Sequence, residues 1–210
     1  MILTNKTYKE ITKTSYAATA EEYSQNVAML APLASIEYFL SLLPNNAKII
    51  DIGCGSGRDA KIFSEKGVEV TGIDFCSELL DIAKQHAPLA TFQLMDIESL
   101  NYPKSSFTGA WAACALGHIP KSKIVDVLKK IHLMLQDNGY LYLALKQGVG
   151  EVIEQDLRYA GNHTKFWAYY EKEELMQLLE KVGFRVMDIK LIEIQHEYHT
   201  HAAFRVFCQR

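Results

Sequence analysis

Cysteine is scarce and scattered. The 210-residue chain holds four, Cys54, Cys76, Cys114 and Cys208, and no two form a C-x-x-C pair. That spacing argues against a structural zinc site, and small buried thiols suit a reducing compartment. No apolar run reaches the ~20 residues that cross a bilayer, and residues 1–10 have no signal-peptide core. Positive charge is not in excess either: a net charge of −3 gives no bulk attraction for nucleic acid. Internal repeats and low-complexity stretches are absent. What is there, 49% apolar and 22% charged residues, is ordinary for a globular protein. The length fits one domain with enough core to fold alone. The expectation is a cytoplasmic protein with no membrane or nucleic-acid partner; oligomeric state is not readable. His196, His199 and His201 cluster near the end, but they lack a helical i, i+4 pair and do not share one strand face, so no metal is expected.

The periodicity alternates. Residues up to about Pro44 read as helical, with Tyr16, Ala20 and Tyr23 at helical spacing and Leu33, Ile36, Leu40 and Leu43 likewise. Strands follow at Lys48–Ile52, Glu69–Ile73, Ala90–Met95, Gly109–Ala113 and Tyr140–Lys146. Helices are expected at Arg58–Lys66 and Ser77–Gln85. A longer one carries the stripe Ile124, Val127, Leu128, Ile131, Leu135 and stops at Asn138-Gly139. A last helix carries Leu175, Leu178, Leu179 and Val182 and ends at Gly183. Phe184–Glu193 and Ala203–Cys208 read as a closing strand pair. Strands alternating with helices predict an α/β fold with a mostly parallel sheet.

The most informative stretch is Ile49-Ile50-Asp51-Ile52-Gly53-Cys54-Gly55-Ser56-Gly57. A buried strand ends in an acid, then glycines alternate, so the backbone can turn tightly and lie against a ligand. The spacing is G-x-G-x-G rather than the G-x-G-x-x-G of dinucleotide sites. A second strand ends in Asp74 and a third in Asp96-Ile97. Three acids at strand tips converge on the sheet edge where open α/β folds bind ligands.

On these residues the chain resembles the class I S-adenosylmethionine-dependent methyltransferases, nearest the tellurite-resistance-like and ubiquinone-biosynthesis-like small-molecule branch. Phe107–Pro120 resembles that family's fourth motif, and Leu135–Leu143 its L-x-P-G-G strand entry. The resemblance implies a Rossmann-like seven-stranded sheet of order 3-2-1-4-5-7-6 with strand 7 antiparallel. Helices lie on both of its faces, and a helical cap precedes it. The implied division is a single domain over 1–210: cap 1–45, cofactor-binding core 46–147, substrate-covering insertion 148–170, and last helix with strand pair 171–210. S-adenosyl-L-methionine is the implied cofactor, S-adenosyl-L-homocysteine the product, and a small molecule the methyl acceptor.

Roles follow from the same resemblance. Asp51 serves the methionine end, and Gly53, Cys54, Gly55 and Gly57 form the loop it lies on. Asp74 takes the ribose hydroxyls. Phe75 and Ile97 flank the adenine, with Asp96 at its amino group and Leu79 on the same ring, although Phe75 and Leu79 read equally as core. Ala113 faces the methionine portion. Arg58 either reaches the cofactor or substrate, or forms a local ion pair with Asp59. Thr108 stands where the family usually has Asp, and Gly117 replaces a bulkier residue, which implies extra room near the acceptor.

On the acceptor side, His118 is a candidate general base, since its ordinary pKa suits proton transfer near neutrality; the other reading is a cap or packing residue. Tyr16, Tyr23 and Trp167 either form a lid or pack the insertion on the N-terminal helices. Two other functions stay open: a non-catalytic S-adenosylmethionine- or S-adenosylhomocysteine-binding protein, and a nicotinamide oxidoreductase, against which the glycine spacing argues.

Overall fold

The computed structural model describes residues 7–193, 196, 198 and 200–210. Three helices come first: α1 (Tyr8–Ala18), α2 (Ala20–Val27) and α3 (Leu33–Leu42). Thr7 and Glu10 form a reciprocal capping box that starts α1. The chain turns at Thr19, so Tyr16 and Tyr23 sit on two helices rather than on the one the spacing suggested.

The core then alternates: β1 (Lys48–Ile52), α4 (Arg58–Glu65), β2 (Glu69–Asp74), α5 (Ser77–His86), β3 (Thr91–Leu94), β4 (Phe107–Ala113), α6 (Lys121–Met134) and β5 (Leu135–Lys146). β6 (Glu151–Gln155), β7 (Thr164–Ala168), α7 (Lys172–Val182), β8 (Arg185–Ile192) and β9 (Ala203–Gln209) complete it. The sheet has seven strands in the order β3-β2-β1-β4-β5-β9-β8. β9 runs antiparallel to both neighbours. Counted within this sheet alone, the order is the expected 3-2-1-4-5-7-6. The insertion adds something the sequence did not announce, a separate antiparallel ribbon of β6 and β7.

Alternation along the central strands splits the core into two layers. Ile50, Ile52, Ala110, Ala112, Leu141 and Leu143 face α6 and α7 through Ile124, Val127, Leu128, Ile131, Leu175 and Leu179. Ile49, Trp111 and Tyr142 face α3 and α4 through Ile36, Phe39, Ala60 and Phe63. Both faces of the sheet are covered, which is why β1 and residues 140–145 of β5 read as near-continuous apolar runs. Asp51 falls in the second register, and this alone points it toward the start of α4.

Two boundaries differ from the sequence pattern. α6 stops at Met134 and β5 begins at Leu135, before the expected Asn138-Gly139 stop. Leu135 pairs with Phe107, the register then slips, and pairing resumes at Gly109–Tyr140. Asn138 takes a positive φ of 64° in that slip, so the turn residues mark an irregularity within the strand rather than a helix end. α7 ends as expected, with Gly183 left-handed at φ 106°. At the start of β4, the Thr108 hydroxyl accepts from Lys48 N at 2.9 Å and donates to Lys48 O at 3.0 Å. It thereby ties β4 to β1.

Trp111 joins the layers to the site. It stacks on Tyr142 with ring centroids 3.7 Å apart, and its Nε1 donates to Asp59 at 2.9 Å. Trp111→Phe should lower stability by about 2 kcal/mol, from lost volume and a buried carboxylate short of one donor. The midpoint of urea unfolding is the measurement; an unchanged midpoint would contradict the role given to this contact.

Candidate active site

The loop between β1 and α4 is built on left-handed glycines: Gly53 has φ 68°, Gly55 55° and Gly57 80°. A Cβ on Gly53 would lie 2.3 Å from that of Ala115, and one on Gly55 would lie 3.3 Å from the Tyr23 ring. The loop is pinned to β2 by Gly53 N and Cys54 N, which both donate to Ile73 O, at 2.8 and 2.9 Å.

Asp74, at the tip of β2, is the second anchor. Its Oδ2 accepts from Gly55 N at 3.0 Å and its Oδ1 from Cys76 N at 2.9 Å. The backbone N–H of Phe75 also acts on this carboxylate. Burial pushes its pKa up to about 6, against the stabilising backbone N–H groups.

Beside this loop lies a cavity, partly open to solvent. Its walls bring together Gly53, Gly55, Asp74, Phe75, Leu79, Asp96, Ile97, Ala113, His118, Tyr16 and Tyr23. Five expected residues stand outside the walls. Asp51 is buried behind the loop, where its Oδ2 has no hydrogen-bond partner. Burial first, and Asp59 next, push its pKa well up. Cys54 is buried, with its sulfur 3.0 Å from where a Cβ on Gly72 would stand. Gly57 precedes the first residue of α4 and lies against Ala83. Arg58 donates twice to Asp59, from Nε at 2.6 Å and Nη2 at 2.9 Å. Trp167 packs behind His118, with ring centroids 4.1 Å apart.

Asp96 is engaged before any ligand arrives: Lys9 of α1 hydrogen-bonds to Oδ2, and Glu98 N donates to Oδ1 at 2.9 Å. Tyr8 of α1 bonds to Glu98, which also takes Lys123 at 2.7 Å. Tyr8, Lys9, Thr12, Glu98, Cys114, Ala115 and Ile119 are wall residues that the sequence reading did not single out. Tyr8, Thr12 and Tyr16 recur every four residues after a capping-box start, a signal that was available in the sequence.

His118 has a defined polarity. Its Nδ1 lies 2.8 Å from the Phe166 carbonyl, which can only accept, so Nδ1 carries the proton. Its Nε2 lies 3.0 Å from the Tyr16 hydroxyl. Burial, with Lys165, Lys146 and Arg158 nearby, holds the imidazole down at about 3 despite the carbonyl. Neutral Nε2 therefore accepts from Tyr16, and the phenol oxygen is left to accept from the cavity. A general base at His118 does not fit this environment, because its lone pair is taken and its basicity is low. Gly117 leaves no extra room either: Trp167 fills it, 3.2 Å from where a Cβ would stand.

Among the described residues no group of three His, Cys, Asp or Glu side chains could hold a metal; His199 lies outside them, as do residues 1–6.

A methyltransferase-domain family profile matches residues 49–139, which run from β1 through the loop, the three acids and β4 into β5. Over these residues the chain is similar to the methyltransferase-domain family. Among curated relatives, the ubiquinone biosynthesis O-methyltransferase of Coxiella burnetii is 27% identical over 154 residues, covering 67% of this chain. The chain spans 64% of that relative's length. The fold is shared with a SAM-dependent methyltransferase of Methanosarcina mazei, at TM-score 0.73 and 23% identity, covering 82% of this chain and 96% of the other. It is shared also with the 1,6-didemethyltoxoflavin-N1-methyltransferase of Burkholderia thailandensis, solved with 1,6-didemethyltoxoflavin and S-adenosylhomocysteine. That likeness has TM-score 0.72 and 18% identity over 97% of this chain and 88% of that one.

With a free-state pKa of about 6, Asp74 in the ribose-binding role that the sequence resemblance implies must lose its proton to accept from two hydroxyls. Affinity for S-adenosylhomocysteine should therefore hold above that pH and fall about tenfold between pH 7 and pH 5. Calorimetry at both values is the check. Asp74→Asn should bind weakly throughout, with most of the pH step gone.

Proposed function

We propose that this chain transfers the methyl group of S-adenosylmethionine to a small-molecule nucleophile and releases S-adenosylhomocysteine. The observation that carries this reading is Asp74, held by the glycine loop inside one cavity with Phe75, Ile97 and Asp96.

The donor set suits the nucleoside at each end. Asp51 Oδ2, buried and unpartnered, is the acceptor that an ammonium group needs, and a cation there would restore the ionisation that burial opposes. Gly55 lets a ligand lie flat, because a side chain there would meet Tyr23. Asp74 would hold the ribose hydroxyls, and Phe75, Leu79 and Ile97 the adenine, whose amino group would share Asp96 with Lys9. Ala113 would lie beneath the methionine portion. When bound, S-adenosylmethionine supplies an electrophilic methyl on a sulfonium.

The chain's own residues then bind, align and exclude water. Holding two reactants in line lowers a barrier by roughly 7–11 kcal/mol, so a reactive acceptor needs little else. His118 positions Tyr16 through the Nε2 contact, and Tyr16 receives a hydrogen bond from the acceptor. The cap and insertion close the chamber, with Tyr16 and Tyr23 in its wall, Trp167 behind His118 and Arg58 tied to Asp59. One methyltransferase unit over 1–210, in a cytoplasmic setting, fits the scattered free cysteines.

Calorimetry with S-adenosylmethionine, and detection of S-adenosylhomocysteine over a broad acceptor panel, test the reading. Micromolar binding with turnover is expected; failure to bind either nucleoside would sink it. Tyr16→Phe should slow turnover at least tenfold while nucleoside affinity stays within twofold. Normal turnover would remove Tyr16 from the acceptor site.

A further inference from the structure

The polar contacts assigned so far to the cofactor are all acceptors. Asp51 is offered to the ammonium of the methionine portion, Asp74 to the ribose and Asp96 to the adenine amino group. The same ligand carries one negative group, the methionine carboxylate. An anion that enters beside buried acids needs a hydrogen-bond donor, or its charge is neither solvated nor paired.

The glycine loop does not supply one from the residues it puts in the cavity wall. Gly53 N donates to Ile73 O at 2.8 Å, and Gly55 N to Asp74 Oδ2 at 3.0 Å. Both main-chain donors are engaged in holding the loop to β2. A phosphate-binding loop differs in this respect, since its N–H groups stay free for the ligand.

Most side-chain donors of the wall are engaged as well. The Tyr8 hydroxyl donates to Glu98, and that of Thr12 to Tyr8 O at 2.9 Å. Tyr16 gives its proton to His118 Nε2, and His118 Nδ1 donates to Phe166 O. Lys9 is held by Asp96 and Glu98. The Cys114 thiol is a weak donor by nature. Tyr23 is different. Among the described residues its hydroxyl has no hydrogen-bond partner. It is not sealed either, because the unpartnered side-chain atoms cut off from solvent are Ser15 Oγ, Asp51 Oδ2, Tyr170 Oη and Arg205 Nε.

The position of this hydroxyl is fixed by packing. Ala20 and Tyr23 of α2 rest on a cluster with Leu79 and Ile82 of α5. The Tyr23 ring stands edge-on to that of Tyr16, with centroids 5.3 Å apart. Its oxygen lies 3.4 Å from where a Cβ on Gly55 would stand, and both residues line the cavity. Burial holds the phenol well above its usual pKa, so it keeps its proton. Ammonium and carboxylate share one carbon in the methionine portion. With the ammonium directed at Asp51 behind the loop, the carboxylate comes to the loop's cavity side, where Tyr23 stands.

We infer that Tyr23 holds the carboxylate of the cofactor's methionine portion, its O–H donating at the cavity side of Gly55. This rests on the reading of the cavity as an S-adenosylmethionine site. It adds a partner for the ligand's one negative group, and it makes α2 part of the cofactor site.

The test is calorimetry of the wild-type protein and Tyr23→Phe with S-adenosylhomocysteine and two ligands that lack the carboxylate. One is the decarboxylated analogue, which keeps the nucleoside, thioether and ammonium; the other is methylthioadenosine. Tyr23→Phe removes a single oxygen and leaves the ring against Tyr16 and Gly55. It should weaken S-adenosylhomocysteine about tenfold, as loss of a hydrogen bond to a charged group does. Affinity for the carboxylate-free ligands should stay within twofold, which also shows the variant to be folded. Equal loss for all three ligands would put Tyr23 on the shared nucleoside or in the packing alone. No loss for S-adenosylhomocysteine would take it out of the site. Either result overturns the inference. If the wild type binds none of the three, this inference and the cofactor reading fall together. If the carboxylate-dependent loss is seen and no acceptor is methylated, the methyl-transfer reading falls alone.

Discussion

One buried carboxylate organises the cofactor side of this protein. Asp74 ends β2, yet its two oxygens bind backbone N–H groups on either side, Gly55 in the loop after β1 and Cys76 before α5. Two parallel strand ends are thereby fixed relative to each other through main-chain donors, which no side-chain substitution elsewhere can supply. The loop's left-handed glycines make that approach possible, because a residue with a Cβ at Gly53 would collide with Ala115. The cavity, the register of Phe75 and the start of α5 all follow from this tie.

Much of this was legible in the sequence because it is local. Strand tips ending in Asp51, Asp74 and Asp96, and the alternating glycines between the first two, are patterns within a few residues, and the sheet order followed from family resemblance. What was not legible depends on contacts distant in sequence. The tautomer of His118 is set by Phe166 and Tyr16, respectively 48 and 102 positions away, and its neutrality by burial. The space at Gly117 is taken by Trp167, from a ribbon whose strands carry no clean alternation. The turn signal at Asn138-Gly139 was real, but it marks a slip inside β5, where pairing with Phe107 outweighed the helix-stop pattern. Asp51, expected at the methionine end of the cofactor, stands behind the cavity wall rather than in it.

The two halves of the chamber differ in electrostatic character. Around the loop, buried carboxylates are raised by desolvation and lean on backbone donors. Behind Tyr16 and Trp167, the ribbon and β5 bring lysines that burial makes less basic.

Thr12 joins parts of the chain that sequence keeps far apart. Its hydroxyl donates to Tyr8 O at 2.9 Å within α1 and accepts from Phe166 N at 3.0 Å in β7. Swinging α1 outward alone would strand that amide without a partner in a dry interface. The first helix and the ribbon therefore behave as a single hinged jaw, and traffic of either reactant through this side must pay to move both at once.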